Sequence, residues 1–66
     1  MEGQDMRQAK KYWFYTWLAW TKLYAIDENG KYHEVSVITS DYDDPQKMEH
    51  DLIIKMQKHH RLTTAY

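Results

Sequence analysis

Residues 12–26 contain seven of the chain's ten aromatic residues, including all three tryptophans, in a protein of 66 residues. We call this segment the aromatic run. An aromatic side chain buries roughly 150–250 Å² when it is fully covered, and so short a chain has little other surface with which to cover seven of them. The aromatic run therefore predicts a surface that binds a partner. The alternative is that all of it packs into a strongly curved core.

The length of the chain allows one small domain. Folding costs about 1.5 kcal/mol of conformational entropy per residue, which apolar burial must offset, and the absence of cysteine excludes disulfides. We expect residues 1–9 to be a flexible polar lead-in and residues 10–66 to form a single ββα domain. No stretch reaches the roughly 18–20 apolar residues of a membrane span. We therefore expect a cytoplasmic protein that does not enter the membrane.

The composition of the aromatic run favours a β-strand, because Trp, Tyr, Phe and Thr suit a pleated and half-buried surface. A helix is the alternative, since Trp13, Trp17 and Trp20 would share one helical face. Because aromatic side chains lose rotamer freedom in a helix, we predict one continuous strand over residues 12–26.

A hairpin signal follows the aromatic run. In the sequence Asp-Glu-Asn-Gly-Lys, Gly30 can adopt the left-handed conformation that closes a three-residue loop. We predict that residues 32–39 form the second strand, in the register that places Leu23 opposite Val35. A two-residue turn would slide this register by one position.

The dipeptide Asp44-Pro45 predicts the start of a helix, because the carboxylate can accept hydrogen bonds from backbone N–H groups and proline suits the first helical position. The helix should end near His60, and residues 61–66 can add a short third strand. The predicted fold is therefore α+β: a long antiparallel β-hairpin with one C-terminal amphipathic helix packed on one face. The apolar stripe of this helix consists of Met48, Leu52, Ile53 and Met56.

Alternation along the long strand assigns its two faces. Odd-numbered residues from Trp13 to Ala25 should face the helix as core, and even-numbered residues from Tyr12 to Ile26 should form a binding face. A strand of 15 residues spans roughly 50 Å, whereas a helix of 16 residues covers about 24 Å. Residues 12–18 should therefore extend beyond the second strand without a hairpin partner.

Such an overhang is an aggregation hazard that proteins pair or cover. The C-terminal tail, a foreign protein or a second copy could cover it, and we predict a homodimer around a two-fold axis. The predicted partner-binding residues are Tyr12, Trp13, Phe14, Tyr15, Trp17, Leu18, Trp20 and Tyr24.

The remaining motifs give no catalytic, cofactor or metal signal. The two serines, Ser36 and Ser40, lie in no nucleophile motif. His59 and His60 point to different sides of the predicted helix, and His50 lies too far along it to share a metal ion with them. Residues 41–51 hold five acids and one base. Residues 40–44 resemble a calcium loop only loosely, because the glycine and the distal bidentate glutamate of an EF-hand loop are missing. We expect a protein that is not an enzyme and binds neither metal nor cofactor.

The sequence thus predicts a small protein-interaction module that self-associates and that could act as an inhibitor or regulator of a host protein. Its size and architecture are analogous to those of small phage-encoded proteins, without any shared motif. The alternative is a single-stranded nucleic-acid-binding protein that uses sheet aromatics as a stacking platform. Nine basic residues against ten acidic ones make a weak electrostatic footprint for nucleic acid. A protein partner is therefore the favoured prediction.

Overall fold

The computed structural model describes residues 6–64. It contains a three-stranded antiparallel sheet and one helix packed against that sheet, so the predicted α+β class is confirmed. In chain order the elements are β1 (Arg7–Gln8), β2 (Lys11–Trp17), β3 (Trp20–Ile26), β4 (Tyr32–Ile38), a 3₁₀ turn (Thr39–Asp41), α1 (Pro45–His60) and β5 (Leu62–Thr63). The main sheet has the order β2-β3-β4.

The aromatic run forms two strands rather than one. A two-residue turn at Leu18 and Ala19 reverses the chain, and β2 folds back antiparallel on β3. The prediction of a continuous strand is therefore wrong, and the predicted unpaired overhang is instead paired along β3. Neither turn position holds the glycine, asparagine or aspartate that usually marks a two-residue hairpin. The backbone folds back nonetheless, and pairing with β3 supplies backbone partners along one side of a strand that would otherwise present unpaired edges.

The second hairpin has the predicted loop and register. Leu23 pairs with Val35, and Gly30 has a φ of 84°. The backbone N–H of Asp27 donates to the carbonyl of Lys31 at 3.0 Å, which closes the three-residue loop. The positive φ explains the glycine, because residues with a side chain rarely adopt this conformation.

The helix has the predicted bounds and covers one side of β3 and β4. Its N-cap is Asp44, whose carboxylate accepts a hydrogen bond from the backbone N–H of Gln46 at 3.0 Å. Leu52 and Met56 are fully buried, with Met48 and Ile53 packed at the margin of the core. The predicted apolar stripe therefore faces the sheet. The buried core consists of Ala9, Leu23, Ala25, Val35, Val37, Leu52, Met56 and Leu62.

The two ends of the described chain meet beside the helix. The tail forms a strand, but β5 pairs parallel with β1 in a separate two-stranded sheet instead of extending the hairpin. Arg7 lies opposite Leu62, and Ala9 is buried in the core. Residues 1–5 of the predicted lead-in lie outside the described residues, as do residues 65 and 66. The segment from Arg7 to Ala9, which belongs to the predicted lead-in, thus contributes a strand and a core residue.

Candidate functional site

The side of the main sheet opposite α1 carries most of the large aromatic side chains. Directly opposed residues of antiparallel strands project to the same side. Trp13 opposes Tyr24, and Trp17 opposes Trp20, so these four residues share one side of the sheet. Tyr32 and Ile38 of β4 lie on the same side by the same rule. We call this surface the aromatic face, and it consists of Trp13, Tyr15, Trp17, Trp20, Tyr24, Tyr32 and Ile38.

The turn at Leu18 and Ala19 changes which residues of β2 face outward. Alternation along one continuous strand predicts Trp13, Tyr15 and Trp17 in the core, but the structure places them on the aromatic face. Conversely, Tyr12 and Phe14, predicted to bind a partner, lie on the helix side and pack against the core. A two-residue turn pairs odd positions of β2 with even positions of β3, whereas alternation along one continuous strand would separate them. Both face assignments for β2 are therefore corrected.

Several side chains of the aromatic face are largely exposed to water. Trp17 retains 61% of its surface and Tyr32 65%, while Tyr15 and Trp20 are each close to half exposed. Isolated exposed apolar residues are ordinary, but a contiguous group of this size on one sheet face is typical of an interaction surface. The five predicted partner-binding residues on this face, brought together by the fold, are Trp13, Tyr15, Trp17, Trp20 and Tyr24.

One end of the aromatic face is already ordered by ring contacts. Trp13 stacks on Tyr24 with their ring centroids 5.5 Å apart, and forms a T-shaped contact with Tyr32 at a centroid distance of 6.2 Å. Rings that hold one another in place lose little rotamer freedom when a partner binds. This end of the face is therefore preorganised for contact.

The other end of the aromatic face borders an unusual turn. Leu18, the remaining predicted partner-binding residue, is 81% exposed and has a φ of 55°. A bulky residue in the left-handed region is strained, and Gly or Asn would relieve that strain. Leu18 is thus both strained and exposed, at the end of the aromatic face where Trp17 opposes Trp20.

The centre of the aromatic face carries an ion pair between Lys22 and Glu34. Lys22 projects between the rings, and its Nζ lies 3.7 Å from a carboxylate oxygen of Glu34 on the neighbouring strand. Both side chains are partly exposed, so the pair adds little to stability. Its effect is that the positive charge nearest the rings is balanced locally. Lys11 lies on the same side of the sheet, but at the end of β2.

A buried carboxylate supports the β3–β4 loop on the opposite side. Asp27 is 2% exposed and accepts hydrogen bonds from the backbone N–H groups of Asn29 and Lys31. Its second oxygen lies 2.9 Å from Nε2 of His33, whose ring centroid is 5.0 Å from that of His60. The hydrogen bond from His33, followed by that from Lys31, lowers the pKa of Asp27 to about 2. The arrangement stabilises the loop, and sequence reasoning did not predict it.

A cavity of about 520 Å³ lies between β4 and α1. The hydroxyl of Tyr42 donates to a carboxylate oxygen of Asp51 at 2.8 Å, and this hydrogen bond raises the pKa of Tyr42. Apolar walls, two acids and two lysines surround the space, so it is amphipathic. Within residues 6–64, no three His, Asp or Glu side chains are grouped so that they could hold a metal ion. The cavity is lined by Trp20, Ser36, Val37, Ile38, Asp41, Tyr42, Asp51, Ile54, Lys55 and Lys58.

Comparison with known proteins adds no functional assignment. No protein family, curated protein or solved structure matches this chain. In the part of the chain that the structure describes, no helix is long and apolar enough to cross a lipid bilayer. Among the described features, the aromatic face is the strongest candidate for a functional surface.

Proposed function

We propose that this protein is a small non-enzymatic protein-interaction module that binds partner proteins through the aromatic face. The observation that carries the proposal is the position of all three tryptophans and three tyrosines on the side of the sheet away from the helix. Trp and Tyr are enriched among the residues that contribute most to binding energy at protein interfaces. The module would act by occupying a surface of its target, as an inhibitor or regulator. A cysteine-free chain suits the reducing cytoplasm, where we place it.

A single-stranded nucleic acid is the second candidate partner, because its bases could stack on the same rings. Such proteins combine their aromatic platform with a positively charged groove that follows the phosphates. Here the carboxylate of Glu34 balances the positive charge of Lys22 at the centre of the face. Lys11 of β2 also lies on this side of the sheet, at the margin of the face. The charge distribution therefore favours a protein partner.

The proposal is tested by affinity capture with the full-length chain and matched variants. Trp17→Ser combined with Tyr32→Ser removes the two most exposed rings of the aromatic face. Lys47→Ser combined with Glu49→Ser alters two exposed positions on the helix and serves as the control. We expect proteins captured from a cell lysate by the parent chain to be retained by the control and lost with the aromatic variant. Capture that is unchanged by the aromatic substitutions would contradict the proposal.

A titration with single-stranded oligonucleotide tests the second candidate. The three tryptophans all lie on the aromatic face and report directly on stacking. Quenching of their fluorescence at low salt, lost as salt is raised, would favour nucleic acid. We expect no such quenching.

A further inference from the structure

The cavity between β4 and α1 has the size of a small-molecule site. Its volume of about 520 Å³ lies within the roughly 300–1,000 Å³ of ligand pockets in proteins. The α1 residues that line it lie at positions 51, 54, 55 and 58, a spacing that places them on one side of a helix. Trp20 and Ile38 belong to both the cavity lining and the aromatic face, so the cavity adjoins that face. Its apolar wall consists of Trp20, Val37, Ile38 and Ile54.

The cavity lining includes a carboxylate that is held in place. Oδ2 of Asp51 accepts a hydrogen bond from the hydroxyl of Tyr42 at 2.8 Å, and Nζ of Lys47 lies 3.9 Å from the same oxygen. A carboxylate has two oxygens that accept hydrogen bonds, and no hydrogen bond to Oδ1 of Asp51 occurs within residues 6–64. Asp41 adds a second negative charge to the lining. Asp51 can therefore accept hydrogen bonds from an ammonium group in the cavity.

Two lysines carry the positive charge of the cavity lining. Nζ of Lys55 donates to the carbonyl oxygen of Ser36 at 2.8 Å, which holds this ammonium group beside β4. An ammonium group has three N–H donors, so Lys55 can also donate to a ligand. Lys58 is exposed and has no hydrogen bond or ion pair with any other residue that the structure describes. A carboxylate in the cavity would give both lysines an anionic partner.

The two kinds of charge are separated along α1 by a distance that a dipeptide can span. Helix geometry places the Cα atoms of Asp51 and Lys55 about 6 Å apart along the axis, and those of Asp51 and Lys58 about 10.5 Å apart. A free amino acid carries its ammonium and carboxylate groups on one carbon atom, which is too close for this spacing. Two residues of an extended chain span about 7 Å, so the end charges of a dipeptide match it. The apolar wall of the cavity favours a dipeptide whose side chains are apolar.

We propose that the cavity binds a free dipeptide with apolar side chains. The ammonium group of the dipeptide binds Asp51, its carboxylate binds Lys55 and Lys58, and its side chains pack against Trp20 and Ile54. A neutral apolar ligand would take these charged groups out of water without giving them a partner, which is costly. The site goes beyond the proposed function, because its ligand is a small molecule and not a protein surface.

Isothermal titration calorimetry of the full-length chain with leucyl-leucine tests the proposal. We expect saturable binding of this dipeptide. N-acetyl-leucyl-leucine lacks the ammonium group and leucyl-leucine amide lacks the carboxylate, so each should bind with at least about tenfold lower affinity. Free leucine should also bind more weakly than leucyl-leucine. No saturable binding of leucyl-leucine up to about 10 mM, or an equal affinity for either blocked dipeptide, would overturn the proposal.

Matched variants locate the binding site. Lys58→Met removes a positive charge from the cavity lining and keeps a long side chain, and Lys31→Met makes the same change at an exposed position in the β3–β4 loop. We expect at least about tenfold lower affinity for leucyl-leucine in Lys58→Met and in Asp51→Asn, and the affinity of the parent chain in Lys31→Met. Circular dichroism checks that each variant is folded, and Lys58→Met alone decides the proposal if Asp51→Asn fails to fold. Unchanged affinity in Lys58→Met would show that the dipeptide does not bind in this cavity as proposed.

Discussion

The strained turn between β2 and β3 gives a quantitative prediction. Leu18 occupies the first turn position with a φ of 55°, in the left-handed region that favours glycine. We expect Leu18→Gly to stabilise the protein. The side chain is 81% exposed, so its removal loses little buried apolar surface.

The magnitude follows from two opposing terms. A residue with a side chain costs about 1–2 kcal/mol in the left-handed conformation, and glycine removes that cost. Glycine also has a more flexible unfolded state, which offsets about 0.5–1 kcal/mol of the gain. At the middle of the two ranges, about 1.5 kcal/mol against about 0.75 kcal/mol, the net increase in the free energy of unfolding is about 0.75 kcal/mol. For a domain of this size, that corresponds to a rise of about 3–6 °C in Tm.

Urea denaturation followed by circular dichroism measures this difference, with Ala19→Gly as the matched control. Among the described residues other than glycine, a positive φ occurs at Leu18 and Arg61, so Ala19 has no such strain. The control makes the unfolded chain more flexible in the same way but removes no backbone strain, so it should destabilise the protein by about 0.5–1 kcal/mol. A midpoint for Leu18→Gly at or below that of the parent would show that the turn is not strained as described.

Three further predictions concern the loop, the buried carboxylate and the core. A Cβ at Gly30 would meet no atom within 4 Å, so we attribute the cost of Gly30→Val to backbone strain at its positive φ, and we expect the free energy of unfolding to fall by more than ~1 kcal/mol in chemical denaturation. The folded-state pKa of Asp27 is about 2, below its ordinary 3.8, so its stabilisation is present above pH 3.8 and is lost as the pH falls through 2. Denaturation at a series of pH values should therefore show that the free energy of unfolding falls more steeply for the parent than for Asp27→Asn between pH 3.8 and pH 2. Equal slopes of the free energy of unfolding against pH would contradict this role of Asp27. Leu52→Ala should cost about 2–5 kcal/mol, because Leu52 is fully buried, while the exposed control Lys47→Ala leaves the midpoint nearly unchanged.

Short-range chemistry made the second hairpin and the helix predictable. Gly30 is needed for the positive φ of its loop, and the carboxylate of Asp44 with the following proline sets the start of α1. The spacing of Leu52 and Met56 correctly identified the side of the helix that faces the sheet. Each of these signals depends on residues a few positions apart. The sequence alone was therefore sufficient for the second hairpin, the helix bounds and the α+β class.

The reversal at Leu18 and Ala19 depended on tertiary structure. No turn-forming residue marks it, and the strand composition is the same on both sides, so local preference could not distinguish one long strand from two short ones. The pairing of β1 with β5 joins residues from opposite ends of the chain, which no local pattern reveals.

The sequence determined which residues form the aromatic face, whereas tertiary structure determined which side of the sheet they occupy. The aromatic run by itself identified the source of five of the six rings on the aromatic face, with Tyr32 as the exception, and five of the eight predicted residues lie on that face. Which rings face outward depended on the number of residues in the turn. The two-residue turn places odd-numbered residues of β2 on the same side as even-numbered residues of β3, whereas one continuous strand would place them on opposite sides. Composition is a property of the sequence, whereas the side of a sheet is defined only when the strands pair.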